Sequence, residues 1–304
     1  MRTSRLRQGL RLTICLALGV SAGLARGADD KVKPPLLLEQ ADLEKKLSEP
    51  KLRILDPRPK AEYDKGHIPG AVWVDTKPVS TLASRPGGLT DKTAWQAWIT
   101  PLGIEPETQV IVVDGKRQLD AARLWWLLRH LGVENVGLVN GAYPLWVAGH
   151  RPVSTDVPKV KPHAFPVSFR PDWLATKDDV LTAIKDGSAR VVDARTTAEY
   201  TGEDAKSRKG GHVPTACRVE WTDLVDKDGR FLDESTLRSK LAGLGLEGTA
   251  PAITHCQGGG RASVDAFVLR RLGIPARNYY LGWSDWGNAE ETPVVKGTDP
   301  GSKP

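Results

Sequence analysis

The residues best suited to chemistry lie in one stretch, Thr254-His255-Cys256-Gln257-Gly258-Gly259-Gly260-Arg261-Ala262-Ser263. Cys256 can act as a nucleophile through its thiolate. The glycines after it let the backbone curl with its N–H groups facing inward. A helix expected to start near Ala262 adds the positive end of its dipole, and Arg261 adds a full charge. Together these groups stabilise an anion at the sulfur, whether a thiolate, a persulfide or a bound oxyanion. A merely structural cysteine beside a packing turn would not call for three consecutive glycines.

Such a loop needs a strand to deliver it and a helix to close it, and the chain supplies that pair twice. Around residue 54 it reads Ile54-Leu55-Asp56-Pro57-Arg58, then Ala61-Glu62-Tyr63, then Gly66-His67-Ile68-Pro69. Around residue 191 it reads Val191-Val192-Asp193-Ala194-Arg195, then Ala198-Glu199-Tyr200, then Gly211-His212-Val213-Pro214. Asp56 to Asp193 and Tyr63 to Tyr200 are both 137 positions, whereas His67 to His212 is 145, so the second copy carries eight extra residues within Thr201–Gly211. Val110–Val113 repeats near Ala252–His255 at 142, and Leu131-Gly132-Val133 repeats at 141. A period this long means two homologous domains rather than a solenoid. Short β-branched runs read as buried parallel strands. Leu124, Leu127, Leu128 and Leu131 share one helical face, as do Val264, Phe267, Val268 and Leu272. The alternation predicts an α/β fold of two similar domains, each a mainly parallel sheet flanked by helices. Reactive groups belong where a strand ends and a helix begins. The expected domains are residues 35–150 and 172–296, joined by a proline-rich extended linker over 151–171.

Composition narrows the class. The chain has 304 residues, 40% hydrophobic and 26% charged, with three cysteines. That suits a globular protein and excludes a disulfide scaffold or a Cys-rich zinc site. The net charge of +6 is mostly local. Residues 1–27 hold five arginines and no acid around an uncharged run from Leu12 to Leu24, the pattern of a secretory signal peptide. That run is too short to span a bilayer. Without residues 1–27, Lys+Arg falls from 43 to 38 against 37 acids, leaving +1. The expectation is therefore an exported, periplasmic protein with no nucleic-acid partner and no stable membrane association after cleavage. Cys15 leaves with the signal, and Cys217 and Cys256 remain, both expected to be free thiols.

The chain resembles the tandem-domain rhodaneses, the thiosulfate and 3-mercaptopyruvate sulfurtransferases, of an exported bacterial type. The resemblance covers nearly all of residues 35–296. Asp-x-Arg, Glu-Tyr and Gly-His-x-Pro in both copies carry it, with Cys256–Arg261 and Trp283-Ser284-Asp285-Trp286-Gly287 in the second. It implies that Cys256 takes the outer sulfur of a small anionic donor such as thiosulfate, becomes a persulfide, and passes the sulfur to cyanide or a thiol. It implies no metal and no organic cofactor. It also implies a silent first copy, because Asp114 stands where the nucleophile would be and a carboxylate cannot form a persulfide. Gln257, Gly258, Gly259, Gly260, Arg261 and Ala262 form the expected active-site loop, with Arg208, Glu199, Trp283 and Trp286 as further candidate substrate contacts.

Vertebrate thiosulfate enzymes of the family carry lysine where Gly258 stands and arginine where Glu199 stands, so Arg261 is left to supply the charge for an anionic donor. A 3-mercaptopyruvate or polysulfide donor stays open, as does a non-enzymatic sulfur carrier or redox module sharing Cys256. A cysteine phosphatase or arsenate reductase would place five residues between Cys and Arg, and here there are four. His67, His212, Asp56 with Arg58, and Asp193 with Arg195 recur in both copies and read as structural. His255 is expected to point away from the site, and core packing is the equal alternative for the two tryptophans.

Overall fold

Runs of Val, Ile and Leu too short for helices form two parallel sheets. The structure is a computed structural model that describes residues 36–302 except Thr249. The expected signal peptide lies outside the described residues. The first sheet contains β1 (Leu36–Glu39), β2 (Leu52–Asp56), β3 (Val72–Trp73), β4 (Gln109–Val112) and β5 (Val136–Asn140), in the order β1-β5-β4-β2-β3. The second contains β6 (Arg190–Asp193), β7 (Cys217–Arg218), β8 (Ala252–His255) and β9 (Ala276–Tyr279), in the order β7-β6-β8-β9. All pairings between these strands are parallel. The second copy keeps only a single parallel bridge, Leu174 to Asn278, where the first has β1.

The helices of the first copy are α1 (Gln40–Lys46), α2 (Lys60–Tyr63), α3 (Thr76–Ser84), α4 (Lys92–Ile99), α5 (Leu119–His130) and α6 (Tyr143–Ala148). Those of the second are α7 (Lys177–Asp186), α8 (Thr197–Thr201), α9 (Glu234–Leu241), α10 (Gly260–Arg271) and α11 (Gly282–Trp286). In each sheet the winding reverses between two adjacent strands, β2 and β4 in one and β6 and β8 in the other. A crevice at the C-terminal ends of such strands is the usual ligand site of this architecture. Cys256 follows β8 directly, and Asp114 follows β4 after one residue.

The two copies share one core. Helix α5 packs against α10, with Trp125 edge-on to Phe267 at 4.9 Å. Leu55 and Val112 of the first sheet and Val192 and Ala276 of the second belong to the same buried cluster. Amphipathic periodicity predicts one buried face for α5, but Ala121, Ala122, Trp125 and Trp126 are buried along with Leu124, Leu127 and Leu128. The reason is that the helix lies against its own strands β4 and β5 and also against α10. Each such aromatic adds about 1.5–3 kcal/mol by leaving water.

Residues 151–171 are strapped onto the first copy, with Phe165 and Val167 buried. The Ser168 N–H donates to the Leu131 carbonyl at 3.0 Å, and that of Arg170 to the His130 carbonyl at 2.9 Å. The recurring histidines do the same job twice. His67 stacks on Tyr63 at 3.9 Å and His212 on Tyr200 at 3.6 Å. Each ring also meets the carbonyl of its tyrosine and that of a later segment, Asp156 or Asp299.

Candidate active site

Strand β8 ends at His255 and places Cys256 at the head of α10, where it is 2% exposed and unbridged. Its neighbours in a small apolar cluster are Ala194, Ala262 and the partly exposed Trp221. The loop is pinned from α11, because Trp283 N–H donates to the Cys256 carbonyl at 2.7 Å and Ser284 N–H to the Gln257 carbonyl at 3.0 Å. The three glycines differ in what they accommodate. Gly259 has φ of +77°, and a Cβ there would fall within 2.5 Å of the Tyr280 ring. At Gly260 a Cβ would meet the guanidinium of Arg123, while at Gly258 it would meet nothing within 4 Å.

Arg261 lies beside Cys256 but is not free. Its Nη1 and Nη2 donate to Glu199 Oε2 and Oε1 at 2.6 and 2.8 Å. Glu199, 4% exposed, also accepts from the Thr196 N–H and hydroxyl at the start of α8. Burial opposes ionisation of Glu199, but Arg261 and Thr196 outweigh it and hold the carboxyl below its ordinary range. Burial likewise opposes the charge on Arg261, and Glu199 together with the Cys256 sulfur overcomes it and raises the guanidinium.

Other expected contacts are placed elsewhere. Trp283 and Trp286 are fully buried, with their indole N–H groups on the Lys209 and Pro293 carbonyls at 3.0 and 2.9 Å. They therefore support the loop from the core and do not face a substrate. Arg208 is an exposed side chain, 69% accessible, that reaches Glu290. The inserted stretch approaches the site through its neighbours instead. Gln257 Nε2 donates to Ser207 Oγ at 3.3 Å and to the Lys206 carbonyl at 3.5 Å. His255 is buried with Nε2 3.7 Å from Asp193, and burial pulls it down to about 4, so it is a neutral ring outside the loop. Asp193 and Arg195 form a buried pair at 2.6 Å, matched by Asp56 and Arg58 at 2.6 Å. Cys217 is 3% exposed, and burial pushes its thiol up.

Three neighbours were not found from sequence. Tyr280 fills the space beside Gly259. Arg123 arrives from the first copy, donating to Tyr280 Oη at 3.2 Å. Asp265 is fully buried on α10 with neither oxygen hydrogen-bonded. Burial first, and then the neighbouring Cys256 and Asp193, push it well above the usual carboxyl range. The only sequence hint for Asp265 is a charged residue inside an otherwise apolar helical run.

The first copy shows what this kind of loop does with an anion. Asp114, 4% exposed, accepts from the Lys116 N–H at 2.7 Å and from the Asp120 and Ala121 N–H groups at 3.1 Å each. The Tyr143 N–H binds the Asp114 carbonyl at 2.8 Å, as Trp283 does for Cys256.

Comparison with known proteins agrees with this duplicated geometry. The family model "Rhodanese-like domain" matches residues 39–149 and again 176–289. A thiosulfate sulfurtransferase of Azotobacter vinelandii is 32% identical over 268 residues, covering 88% of this chain and 99% of that protein. A 3-mercaptopyruvate sulfurtransferase of Escherichia coli K12 is 30% identical over 82% of this chain and 93% of its own length. The crystal structure of the Escherichia coli 3-mercaptopyruvate sulfotransferase SseA superposes with a TM-score of 0.70 at 27% identity, over 82% of this chain and 99% of that one.

Proposed function

Because the chain belongs to the rhodanese family, two such domains in tandem, and is a sulfurtransferase, we propose that Cys256 carries the sulfur and that the donor is a small anion such as thiosulfate. The Cys256 thiolate attacks the outer sulfur of thiosulfate. The sulfur–sulfur bond of the donor breaks, its electron pair leaves with sulfite, and Cys256 holds a persulfide. Cyanide or a thiolate then attacks the outer sulfur of that persulfide, takes it as thiocyanate or a new persulfide, and returns the Cys256 thiolate. No net oxidation occurs, and the two half-reactions predict ping-pong kinetics.

The observation that carries this reading is Asp114. In the copy without a nucleophile, a carboxylate is held by loop and helix amides at the position that Cys256 takes in the other copy. In the proposal, the shorter loop after Cys256 and the head of α10 hold the sulfur of a thiolate and then of a persulfide in the same way. Gln257, Gly258, Gly259, Gly260, Arg261 and Ala262 form that cradle in the proposal. Glu199 acts through Arg261, holding its charge beside the sulfur.

The test is turnover with thiosulfate, 3-mercaptopyruvate and polysulfide in parallel, for the wild type and Cys256→Ala. The expected result is sulfite release over many cycles with thiosulfate and none in the alanine variant. Turnover with 3-mercaptopyruvate alone would reassign the donor, and a single stoichiometric transfer would make the protein a carrier. Export is part of the proposal, and N-terminal sequencing of the protein from a periplasmic extract tests it.

A further inference from the structure

The first copy has no nucleophile, yet one of its side chains reaches the loop of the other. Arg123 lies one turn into α5, with its side chain 17% exposed. Its Nη1 donates to Tyr280 Oη at 3.2 Å and, at the long end of the range, to the Gly258 carbonyl at 3.4 Å. The guanidinium occupies the space a side chain at Gly260 would need, with Cζ 2.7 Å from the would-be Cβ. A third loop position thus depends on a residue more than 130 positions away. The reverse contact does not exist, because the equivalent residue of α10 is the buried, uncharged Val264.

The charges beside the sulfur show why this matters. Arg261 is bound at both nitrogens by Glu199. Arg123 has a looser partner, Asp120, whose oxygen is 3.7 Å away and whose side chain is 43% exposed. Burial lowers the Arg123 guanidinium, but Tyr280, Asp120 and the Cys256 sulfur outweigh that and keep it charged. A half-neutralised cation therefore stands behind the loop, inside the interface where screening is weak.

We propose that Arg123 is a positioning residue for the sulfur on Cys256: it fixes the Gly258 carbonyl on the guanidinium side of the loop and sets a buried positive charge against the anionic sulfur. The role rests on the reading of Cys256 as the sulfur carrier. It also gives the silent copy a part in the reaction beyond forming half of the shared core.

The experiment compares Arg123→Met and Arg123→Lys with the wild type. Iodoacetamide labelling of Cys256, read on its own peptide by mass spectrometry as a function of pH, reports the thiolate. Thiosulfate:cyanide kinetics and thermal unfolding are measured on the same samples. In Arg123→Met the labelling midpoint is expected to rise by about one pH unit and kcat/KM to fall about 10- to 100-fold. Arg123→Lys keeps the charge without the planar fork, so it should restore most of the midpoint but less of kcat. A midpoint that stays put in Arg123→Met, with any loss tracking melting temperature, overturns the proposal. If Arg123→Met does not fold, Arg123→Gln takes its place with the same two outcomes. Should the wild type transfer no sulfur, the function fails separately, and the labelling midpoint still decides Arg123.

Discussion

The Asp114 loop and the Cys256 loop begin from the same strand-to-helix junction and end as opposites. In the first, the anion is a fixed carboxylate satisfied by three amides. That loop is one residue longer before its helix, and Gln118 takes the left-handed turn at φ of +69°. The Gln118 amide donates to the Val139 and Gly229 carbonyls at 3.0 and 2.7 Å. Gly229 sits in the turn closed by the Val225–Phe231 bridge of the second copy, so the Asp114 loop is roofed by the second copy. In the second, the cradle is held from outside by Tyr280, Arg123 and α11, and in the proposed reaction its anion is a sulfur that can be exchanged. A helix N-terminus with an amide loop is a general anion holder. What makes it a sulfur-transfer site is an anion that can leave.

The largest expected effect separates the two loops outright. Cys256→Ala is expected to lower thiosulfate:cyanide turnover by at least about 10³-fold, while Asp114→Ala leaves it within about twofold. Cys256→Ala combined with Asp114→Cys should remain inactive, because the new thiol would sit under the Gly229 turn. Turnover in that double variant would show that the roof does not matter.

Within the active loop, neighbouring glycines should behave differently. Gly259→Ala places a methyl on the Tyr280 ring in a left-handed backbone conformation, and is expected to cost about 2–4 kcal/mol and most of the activity. Gly258→Ala enters open space and should change stability by less than about 0.5 kcal/mol. Urea unfolding of the two variants checks this, and equal losses would mean that Tyr280 yields.

The two Glu-Tyr motifs give the next contrast. Glu199 is buried on Arg261, whereas Glu62 at the same motif position is exposed. Glu199→Gln leaves a largely buried guanidinium half-paired and is expected to cost about 2 kcal/mol, against almost nothing for Glu62→Gln. The sign follows from the lowered Glu199 carboxyl: its stabilisation is present above the unfolded value, near 4.3, and is lost as pH falls through the lower folded value. The difference between the two variants should therefore shrink in acid. A gap independent of pH would remove the ion pair as its cause.

How much of this was legible depended on distance along the chain. The duplicated motifs, the parallel sheets and the Cys256 loop are local patterns, read within a dozen residues each. The recurring Asp, Arg and His positions reveal a structural role because both copies keep them, including the copy without a nucleophile. Arg123, Tyr280 and the Gly229 turn become visible only when α5 and α10 are packed together. Trp125 and Trp126, lying off the leucine face of α5, were the sign that this helix has a second partner. For Trp283 and Trp286 the sequence left pocket and core equally open, and their full burial places them in the core. A motif next to the Cys256 loop can support it entirely from inside the core.

The smallest expected effect tests whether the second copy has kept a cost that the first avoids. Asp265 and Leu124 occupy the same position in α10 and α5, each five residues after the first residue of its helix. Both are buried, but Asp265 has no hydrogen-bond partner. Asp265→Leu should stabilise the protein by about 1–2 kcal/mol near neutral pH, since it removes an unsatisfied polar group. The gain should also depend on pH. In the unfolded chain Asp265 ionises near its ordinary value of about 3.9, while the folded carboxyl stays protonated well above it. The unfolded state therefore binds fewer protons over that window, and wild-type stability falls as pH rises through it. Leucine has no such loss, so the advantage of the variant should be smallest in acid and grow toward neutrality. Urea titrations of both proteins at an acidic and a neutral pH measure it. A constant or shrinking advantage would mean that Asp265 is ionised in the fold, held by a partner, and that the two helices are closer to equivalent than their sequences suggest.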